Sequence, residues 1–340
     1  MTVPAHKKGI PYNLTKEHEY AREMLLKAKR KGIKLIATDL DGTVLARDPA
    51  DGQYEKYHEL STVVQLASDV TQQGAEFAIL SARNTTLEVK IREIAQQFST
   101  KKRTPFTIWR SGGNGMNLFR LSFRPDLPEP EVEPIYVNEI SIQEAHAVAD
   151  VFQLMYAKLS MVPSSQGVAF FRSFLSEALP EDLVPVSHRA ISDKYGGAFF
   201  AEGVKVSCVL PDDIQHQRTC IDFLHKHLDT ELFHIGWSRS PFADISKVLK
   251  QNDVPVDGKD FAVSTILARS HLNDEQVITF GDAPTTTDGI GNDTGLLRFP
   301  FSFTSCQEGL KSRIEEPPYI LAIHDNSPVA SVHSAIRSVF

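Results

Sequence analysis

The chain has 340 residues, of which 41% are hydrophobic and 23% are charged, and its formal net charge is −7. This length fits one large or two medium globular domains, and the acidic balance argues against a nucleic-acid-binding protein, because such proteins are usually basic. No CxxC pair, no run of about 18 apolar residues and no secretion signal occurs, so we expect a cytoplasmic protein with no disulfide framework, zinc site or membrane partner.

The first third of the chain alternates between helix and strand patterns. Residues 15–31 resemble a helix that Thr15 caps, with acids in the first turn and bases in the last turn before Gly32. The elements predicted next are a strand at 33–38, a helix at 58–73, a strand at 75–81, a helix at 85–98, and a strand that begins at 106 and ends in the glycine-rich turn 112–115. This alternation predicts a parallel α/β sheet.

The pattern changes in the middle of the chain. Residues 121–134 are rich in proline and acids and do not fit a regular helix. Ser141 and Glu144 form a capping box that predicts a helix to about residue 159, and strand and helix patterns are mixed after it. Because the α/β alternation then returns, we predict an α/β core with an inserted α+β domain. The predicted bounds are 1–118 and 251–340 for the core and 119–250 for the insertion.

Two carboxylates follow the first predicted strand. Asp39 and Asp41 lie one residue apart on the strand, so their side chains point to the same face. At the carboxyl edge of a parallel sheet, where ligands bind, two such groups repel each other unless a cation neutralises them. One could act as a nucleophile and the other as a general acid and base, while Gly42 would let backbone N–H groups approach an anion.

This stretch has two other interpretations. The first is a capped strand end followed by an Asp-Gly turn, which would have a structural role and no catalytic one. A calcium-binding loop is excluded, because Thr43 and Val44 stand where that loop needs an acid or amide and a glycine.

Polar residues also mark the ends of other predicted elements. Ser81 follows an apolar strand, where its hydroxyl could bind a phosphate oxygen or cap the next helix. Lys259 begins the helix after the insertion and could neutralise a phosphate; the alternatives are a solvated loop lysine, or Lys247 or Lys250 in this role. Asp282 ends the strand VITF in a Gly-Asp pair, and could bind magnesium or merely form a turn.

Together, these residues resemble the motifs of the haloacid dehalogenase (HAD) superfamily of aspartate-nucleophile phosphotransferases. DLDGT at 39–43 matches the first motif in full, and LSAR, which contains Ser81, resembles the second motif of the Cof-type branch. SGGNG at 111–115 is similar to the NGA segment that precedes the cap in that branch, GKDFAV to its lysine motif, and TFGD to the start of its fourth motif. The insertion matches the position of the large α/β cap in this branch, which includes sugar phosphatases, sucrose-phosphate phosphatase and phosphomannomutase.

The resemblance implies a Rossmann-like parallel-sheet core with a cap, and a phosphatase that forms an aspartyl-phosphate. Asp39 would be the nucleophile, and Asp41 would protonate the leaving group and then activate water. Magnesium would be bound by Asp39, the main-chain carbonyl of Asp41 and Asp282. The phosphate-binding residues would be Gly42, Ser81, Arg83 and Lys259.

The fourth motif departs from the family pattern. The branch usually continues it as GDxxND, whereas this chain reads GDAPTTTDGIGND. The second acid of the magnesium site could be Asp288 or Asp293; we prefer Asp288, which is closer in sequence to Asp282, and keep Asp293 as the alternative. Asp260 replaces the glycine after the third-motif lysine, and an acid there would oppose phosphate binding unless it points away.

We therefore predict a magnesium-dependent phosphatase that acts on a small phosphorylated metabolite, with a sugar phosphate as the favoured substrate. The alternatives are a binding or regulatory protein of the same fold with weak or no turnover, and a phosphomutase. Candidates for substrate contacts in the cap are Lys205, Arg218, His234 and Arg239, each also compatible with an ordinary surface position. The sequence does not indicate an oligomeric state.

Overall fold

The computed structural model describes residues 14–45, 57–81, 86–176, 184–237, 241–282, 293–305, 318–322 and 327–340. Within these ranges the strands form one sheet of eight, one of four and a two-stranded hairpin. In the same ranges, no helix combines the length and apolar character that crossing a membrane requires.

The elements alternate between strands and helices along much of the chain. The strands are β1 (Leu35–Asp39), β2 (Glu76–Leu80), β3 (Phe106–Ser111), β4 (Asn117–Phe123), β5 (Glu131–Val137), β6 (Phe199–Ala201), β7 (Lys205–Val209), β8 (Phe233–Trp237), β9 (Phe242–Lys247), β10 (Leu249–Gln251), β11 (Val254–Val256), β12 (Val277–Phe280), β13 (Ser302–Thr304) and β14 (Tyr319–Ile320). The helices are α1 (Leu14–Lys31), α2 (Tyr57–Gln72), α3 (Thr86–Lys102), α4 (Ile142–Leu159), α5 (Ser165–Ser176), α6 (Val186–Lys194), α7 (Ile214–His227), α8 (Gly258–Arg269) and α9 (Pro328–Val339).

The larger sheet has the strand order β14-β13-β12-β1-β2-β3-β4-β5. Its neighbours from β14 to β3 pair in parallel, and the pairs β3–β4 and β4–β5 are antiparallel. Apolar side chains of one face, such as Ile36 and Phe280, pack with α1, α2, α3 and α9. Those of the other face, such as Leu35 and Ala37, pack with α8. The sheet is therefore covered on both faces, as the predicted α/β class requires.

Most predicted elements of the first third are confirmed within a few residues. The helix predicted at 15–31 is α1, which has bases in its last turn and is followed by Gly32 with a φ of 70°. Thr15, however, lies inside the first turn of this helix rather than at its cap, because the helix already begins at Leu14.

The segment after β3 belongs to the larger sheet. β4 pairs with β3. β5 in turn pairs with β4, with Asn117 of β4 opposite Val137 of β5. Residue 119, the predicted boundary, lies within β4, and both β4 and β5 belong to the larger sheet rather than to the smaller one. β5 is an edge strand with mostly exposed residues, a position that tolerates its Pro134.

The smaller sheet lies within the predicted insertion and has the order β6-β7-β9-β8, with all neighbours antiparallel. One face packs on α4, α6 and α7 through residues such as Phe152, Ile191 and Leu224. The predicted capping box is confirmed: the Ser141 hydroxyl accepts from the N–H of Glu144, whose carboxylate accepts from the N–H of Ser141.

The last part of the chain completes the larger sheet. Leu296–Arg298 form a 3-10 helix, and the strand β13 begins at Ser302. β14 and α9, for which the sequence predicts no element, complete the edge and one face of the larger sheet.

Candidate active site

Three strands of the larger sheet bring their carboxyl ends together. In the parallel ladders, Asp39 at the end of β1 pairs with Leu80 of β2, and Thr38 pairs with Phe280 of β12. Ser81 and Asp282 come just after these two partner strands. The register thus places the predicted polar residues at one edge of the sheet, because parallel strands end on the same side.

The chain turns sharply after Asp39. The N–H groups of Thr43, Val44 and Leu45 all approach the carbonyl oxygen of Leu40, at 3.4, 3.2 and 2.9 Å. Gly42 has a φ of 84°, a left-handed conformation that favours glycine, and its own N–H donates to the Leu45 carbonyl at 2.7 Å. Gly42 therefore shapes the turn that carries Asp41, and its N–H is used within that turn.

Lys259 reaches Asp39 from the helix on one face of the sheet. α8 begins after Asp257, whose carboxylate caps the helix by accepting from the N–H groups of Lys259 and Asp260. The fully buried Lys259 ammonium donates to Oδ1 of Asp39 at 2.7 Å and to Oδ1 of Asp293 at 2.5 Å. The lysine predicted from the GKDFAV motif thus contacts the predicted nucleophile.

Asp293 is the second buried acid of this cluster. Its side chain is fully buried, and its Oδ2 accepts from the N–H of Asp282 at 3.0 Å. A Cβ on Gly281 would lie 2.9 Å from the Asp293 side chain, so only glycine lets the two segments come this close. Carboxylate oxygens of Asp39, Asp282 and Asp293 lie within 4.8 Å of one another. Asp288, the acid that we preferred from the sequence, lies outside the described residues.

The cluster holds more negative charge than its lysine can neutralise. Burial raises the pKa of the Asp39 carboxyl well above its ordinary value, Lys259 lowers it, and the charges of Asp293, Asp282 and Asp41 raise it further. Burial lowers the pKa of Lys259, but its two carboxylate partners outweigh that effect and the pKa is raised overall. The ammonium therefore stays charged, and the excess of acids would favour a further cation.

Asp260, the acid that replaces a family glycine, points away from this cluster. Its carboxylate accepts from the guanidinium of Arg298 and, at 3.1 Å, from the hydroxyl of Ser264. Burial raises the pKa of the Asp260 carboxyl, and the Arg298 charge lowers it. The negative charge that would oppose a phosphate is thus compensated by an arginine.

Ser81 is fully buried at the end of β2, where it is tied to the next loop. Its N–H donates to the Ser111 carbonyl at 3.0 Å, and its carbonyl accepts from the N–H of Asn114 at 3.1 Å. Asn114 lies in the SGGNG segment, and the sequence patterns predict no individual role for it. Arg83, a predicted phosphate-binding residue, lies outside the described residues.

The rival lysines and the cap candidates lie elsewhere. Lys247 forms an ion pair with Glu144 at 3.0 Å, and Lys250 is exposed on β10. Among the cap candidates, Lys205 is buried and pairs with Asp244 at 3.3 Å. Arg218 is exposed on α7, and His234 lies on β8. Arg239 lies outside the described residues. Within the described ranges, Lys259 is thus the lysine that bonds the nucleophile candidate.

A histidine from the end of the chain supports the turn after β1. His333 of α9 donates from Nε2 to the carbonyl oxygen of Val44 at 2.9 Å. Sequence reasoning missed this contact because it joins residues 289 positions apart and the tail has no recognisable motif.

A cleft of about 710 Å³ lies between β8 and the β10–β11 hairpin. Its walls include His225, His234 and Lys250, and it reaches Met116 and Asp257. None of the clustered carboxylates lines it, so the cleft is separate from the charged cluster.

Comparisons with known proteins give a match in fold and none in sequence. No protein-family model matches the chain, and neither does any curated protein. The protein SMU.1108c from Streptococcus mutans is 15% identical, with a TM-score of 0.54 over 89% of this chain and 98% of that one. A HAD/COF-like hydrolase from Plasmodium vivax is 15% identical, with a TM-score of 0.57 over 93% and 99% of the two chains.

A third similar structure is an IMP-bound, N-terminally truncated IMP-nucleotidase from Plasmodium falciparum. It is 10% identical, with a TM-score of 0.52 over 98% of this chain and 75% of that one. At these identities the likeness concerns the fold alone. The chain therefore has the fold of the HAD-like hydrolases.

Proposed function

We propose that the protein is a magnesium-dependent phosphatase that hydrolyses a small phosphorylated metabolite, with a sugar phosphate as the favoured substrate. The observation that carries this proposal is the buried lysine between two carboxylates: Lys259 bonds both Asp39 and Asp293 at the edge of the sheet. An ammonium in this position can hold a phosphoryl oxygen beside an aspartate nucleophile.

The donor set of the cluster fits a magnesium ion. Asp39, Asp282 and Asp293 offer carboxylate oxygens close together, and magnesium is usually bound by a few carboxylates, waters and substrate phosphate oxygens. These three residues would hold the ion, together with the main-chain carbonyl of Asp41 that the family resemblance implies. When bound, the ion would neutralise charge on the phosphate and so ease nucleophilic attack.

The first step would be the attack of a carboxylate oxygen of Asp39 on phosphorus. The bond from phosphorus to the ester oxygen breaks, and the carboxylic acid of Asp41 gives its proton to that leaving oxygen. Lys259 and the Ser81 hydroxyl would hold phosphoryl oxygens during the transfer, since catalysis of such reactions is mainly positioning and charge stabilisation. The products of this step are an alcohol and an aspartyl-phosphate.

The second step would hydrolyse the aspartyl-phosphate. The Asp41 carboxylate takes a proton from water, and the oxygen of that water attacks phosphorus. The bond from phosphorus to the Asp39 carboxylate breaks, which releases inorganic phosphate and restores both aspartates to their starting states. We place this reaction in the cytoplasm, with the smaller sheet and its helices enclosing the leaving group and excluding water.

An assay with p-nitrophenyl phosphate tests the proposal. We expect magnesium-dependent turnover, and a loss of about 10⁴-fold or more in kcat for Asp39→Asn, since the amide cannot act as the nucleophile. Asp222→Asn changes an exposed aspartate on α7 in the same way and should retain the activity of the unchanged protein.

The rival functions give different results. Turnover that is absent, independent of magnesium, or unaffected by Asp39→Asn would contradict the phosphatase and favour a binding or regulatory protein. Transfer of phosphate to a second site of a sugar, without release of inorganic phosphate, would indicate a phosphomutase.

A further inference from the structure

The loop after β3 holds three successive residues in a left-handed conformation. Gly113, Asn114 and Gly115 have φ values of 57°, 60° and 92°. Such values are ordinary for glycine but cost free energy for a residue with a Cβ, although asparagine tolerates them better than most. The unusual residue is therefore Asn114, and a conformation of this kind often occurs at functional sites.

The two glycines of this loop have a packing reason. A Cβ on Gly115 would lie 2.0 Å from the carbonyl carbon of Gly258, and one on Gly113 would lie 3.0 Å from the side chain of Val204. The loop is thus held between the start of α8 and the turn that precedes β7. Packing explains the glycines, and it leaves open why position 114 carries a side chain.

The backbone of Asn114 contacts Ser81 and the residue that precedes Lys259. Its N–H donates to the carbonyl of Ser81, and a Cβ on Gly258 would lie 2.0 Å from its carbonyl oxygen, just before Lys259. Its side chain lies against the smaller sheet, where a Cβ on Gly236 of β8 would lie 3.8 Å from Nδ2 of Asn114. Asn114 therefore lies between the catalytic edge of one sheet and a strand of the other.

The side-chain oxygen of Asn114 is buried, and it accepts no hydrogen bond from any described residue. A buried acceptor without a donor is costly in a folded protein, so such an atom is usually explained by a ligand or an ordered water. Because the backbone of Asn114 bonds Ser81 and packs against the residue before Lys259, a substrate group next to the phosphate is the donor that fits this position.

We propose that Asn114 is a specificity-determining residue whose Oδ1 accepts a hydrogen bond from a hydroxyl group of the leaving group. This inference rests on the proposed phosphatase function and narrows its substrates to phosphate esters of hydroxylated compounds. A neutral hydroxyl is a suitable donor to the neutral amide oxygen of Asn114.

The test compares two phosphate esters of similar size. Glycerol 3-phosphate carries hydroxyl groups next to the ester, and n-propyl phosphate carries none. We expect the protein to prefer glycerol 3-phosphate in kcat/KM, and Asn114→Gly to reduce that preference by about tenfold, the effect of one lost hydrogen bond to a buried acceptor. Glycine removes the side chain without disturbing a left-handed backbone.

Two further variants separate the side chain from the backbone. Asn114→Asp keeps an acceptor oxygen and a residue type that tolerates the turn, so it should keep the preference while its negative charge lowers kcat/KM for both esters. Asn252 also has a left-handed φ, 53°, in the exposed turn of the β10–β11 hairpin, and Asn252→Gly should leave both values unchanged.

The outcomes distinguish this inference from the proposed function. Suppose that both esters are hydrolysed and that Asn114→Gly changes their kcat/KM values equally, or not at all. Asn114 then does not bind a substrate hydroxyl and its oxygen binds water, whereas the proposed phosphatase function is retained. If neither these esters nor p-nitrophenyl phosphate is hydrolysed, the phosphatase itself is wrong and the inference fails with it. Loss of the preference in Asn114→Asp as well as in Asn114→Gly would also overturn the acceptor role.

Discussion

A buried lysine pairs with aspartate beside each of the two larger sheets, and the two sites differ in how many acids crowd together. At the edge of the eight-stranded sheet, Lys259 of α8 bonds Asp39 and Asp293, and Asp282 lies close by. On the four-stranded sheet, Lys205 pairs with Asp244, and within the described residues no group of three acids clusters there.

The Lys205–Asp244 pair fits a structural role. Asp244 accepts from the Lys205 ammonium and from the hydroxyl of Ser207. Such contacts satisfy buried polar groups without crowding three acids together.

The cluster around Lys259 is different, because burial and then the charges of Asp293, Asp282 and Asp41 raise the pKa of Asp39, although Lys259 lowers it. A fold gains no stability from crowding like charges, and the proposed phosphatase accounts for this crowding by a cation and a phosphate that would bind there. Crowded acids around a buried lysine therefore favour a functional site over a buried ion pair of the same residue types.

Removing each lysine tests this comparison most strongly. We expect Lys259→Met to lower kcat for p-nitrophenyl phosphate by about 10² to 10³-fold, the effect of losing one preorganised donor to the transition state. Lys205→Met should instead lower the free energy of unfolding by about 1–3 kcal/mol, because Asp244 loses its partner, with a change in kcat of less than about tenfold. Steady-state kinetics and urea unfolding of both variants provide the measurements. Equal losses of kcat would mean that the crowding of acids around Lys259 does not separate the two sites.

The acids of the irregular fourth motif give the next largest expected effect. Asp293→Asn removes a charge from the cluster, and we expect the magnesium concentration for half-maximal activity to rise by about 10- to 100-fold. Asp288→Asn is the matched control, because it changes the acid that sequence proximity favours. We expect its magnesium requirement to stay within about threefold of the unchanged protein. A magnesium titration in which Asp288→Asn shows the larger shift would assign the ligand to Asp288 instead.

Sequence reasoning worked best where a polar residue ends an apolar strand. The local pattern around Asp39, Ser81 and Asp282 is enough to place these residues, because the edge of a parallel sheet is fixed by where its strands end. Lys259 was predictable for a related reason: it begins a helix that follows the capping residue Asp257.

The parts that were missed depend on contacts distant in sequence. Asp293 lies against Gly281 although the irregular fourth motif separates them in sequence, and no local pattern predicts that approach. β5 was missed because an exposed edge strand needs no alternation of apolar residues, and its acidic, proline-containing sequence resembles a loop. The sequence signal at Asn114 is weak, because it consists only of an asparagine between two glycines. Its role can be inferred only once the left-handed backbone of this turn is known.

The smallest expected effect concerns the support of the turn that carries Asp41. His333→Ala removes the donor to the Val44 carbonyl, and we expect a loss of about 0.5–1.5 kcal/mol in the free energy of unfolding. If the turn positions Asp41 as the proton donor, kcat should fall by about 3- to 10-fold for n-propyl phosphate, whose alkoxide needs a proton to leave. It should fall less for p-nitrophenyl phosphate, whose phenolate leaves readily without one.

The control for this last effect is His333→Gln, whose side-chain amide can still donate to the Val44 carbonyl and should restore most of the lost activity. The unequal response of the two esters is the decisive readout, because general destabilisation would lower both rates together. If His333→Ala lowers both rates equally, α9 contributes stability to the core on that face of the larger sheet and has no part in positioning Asp41. An unequal loss would extend the catalytic arrangement from the strand ends of the larger sheet to the last helix of the chain.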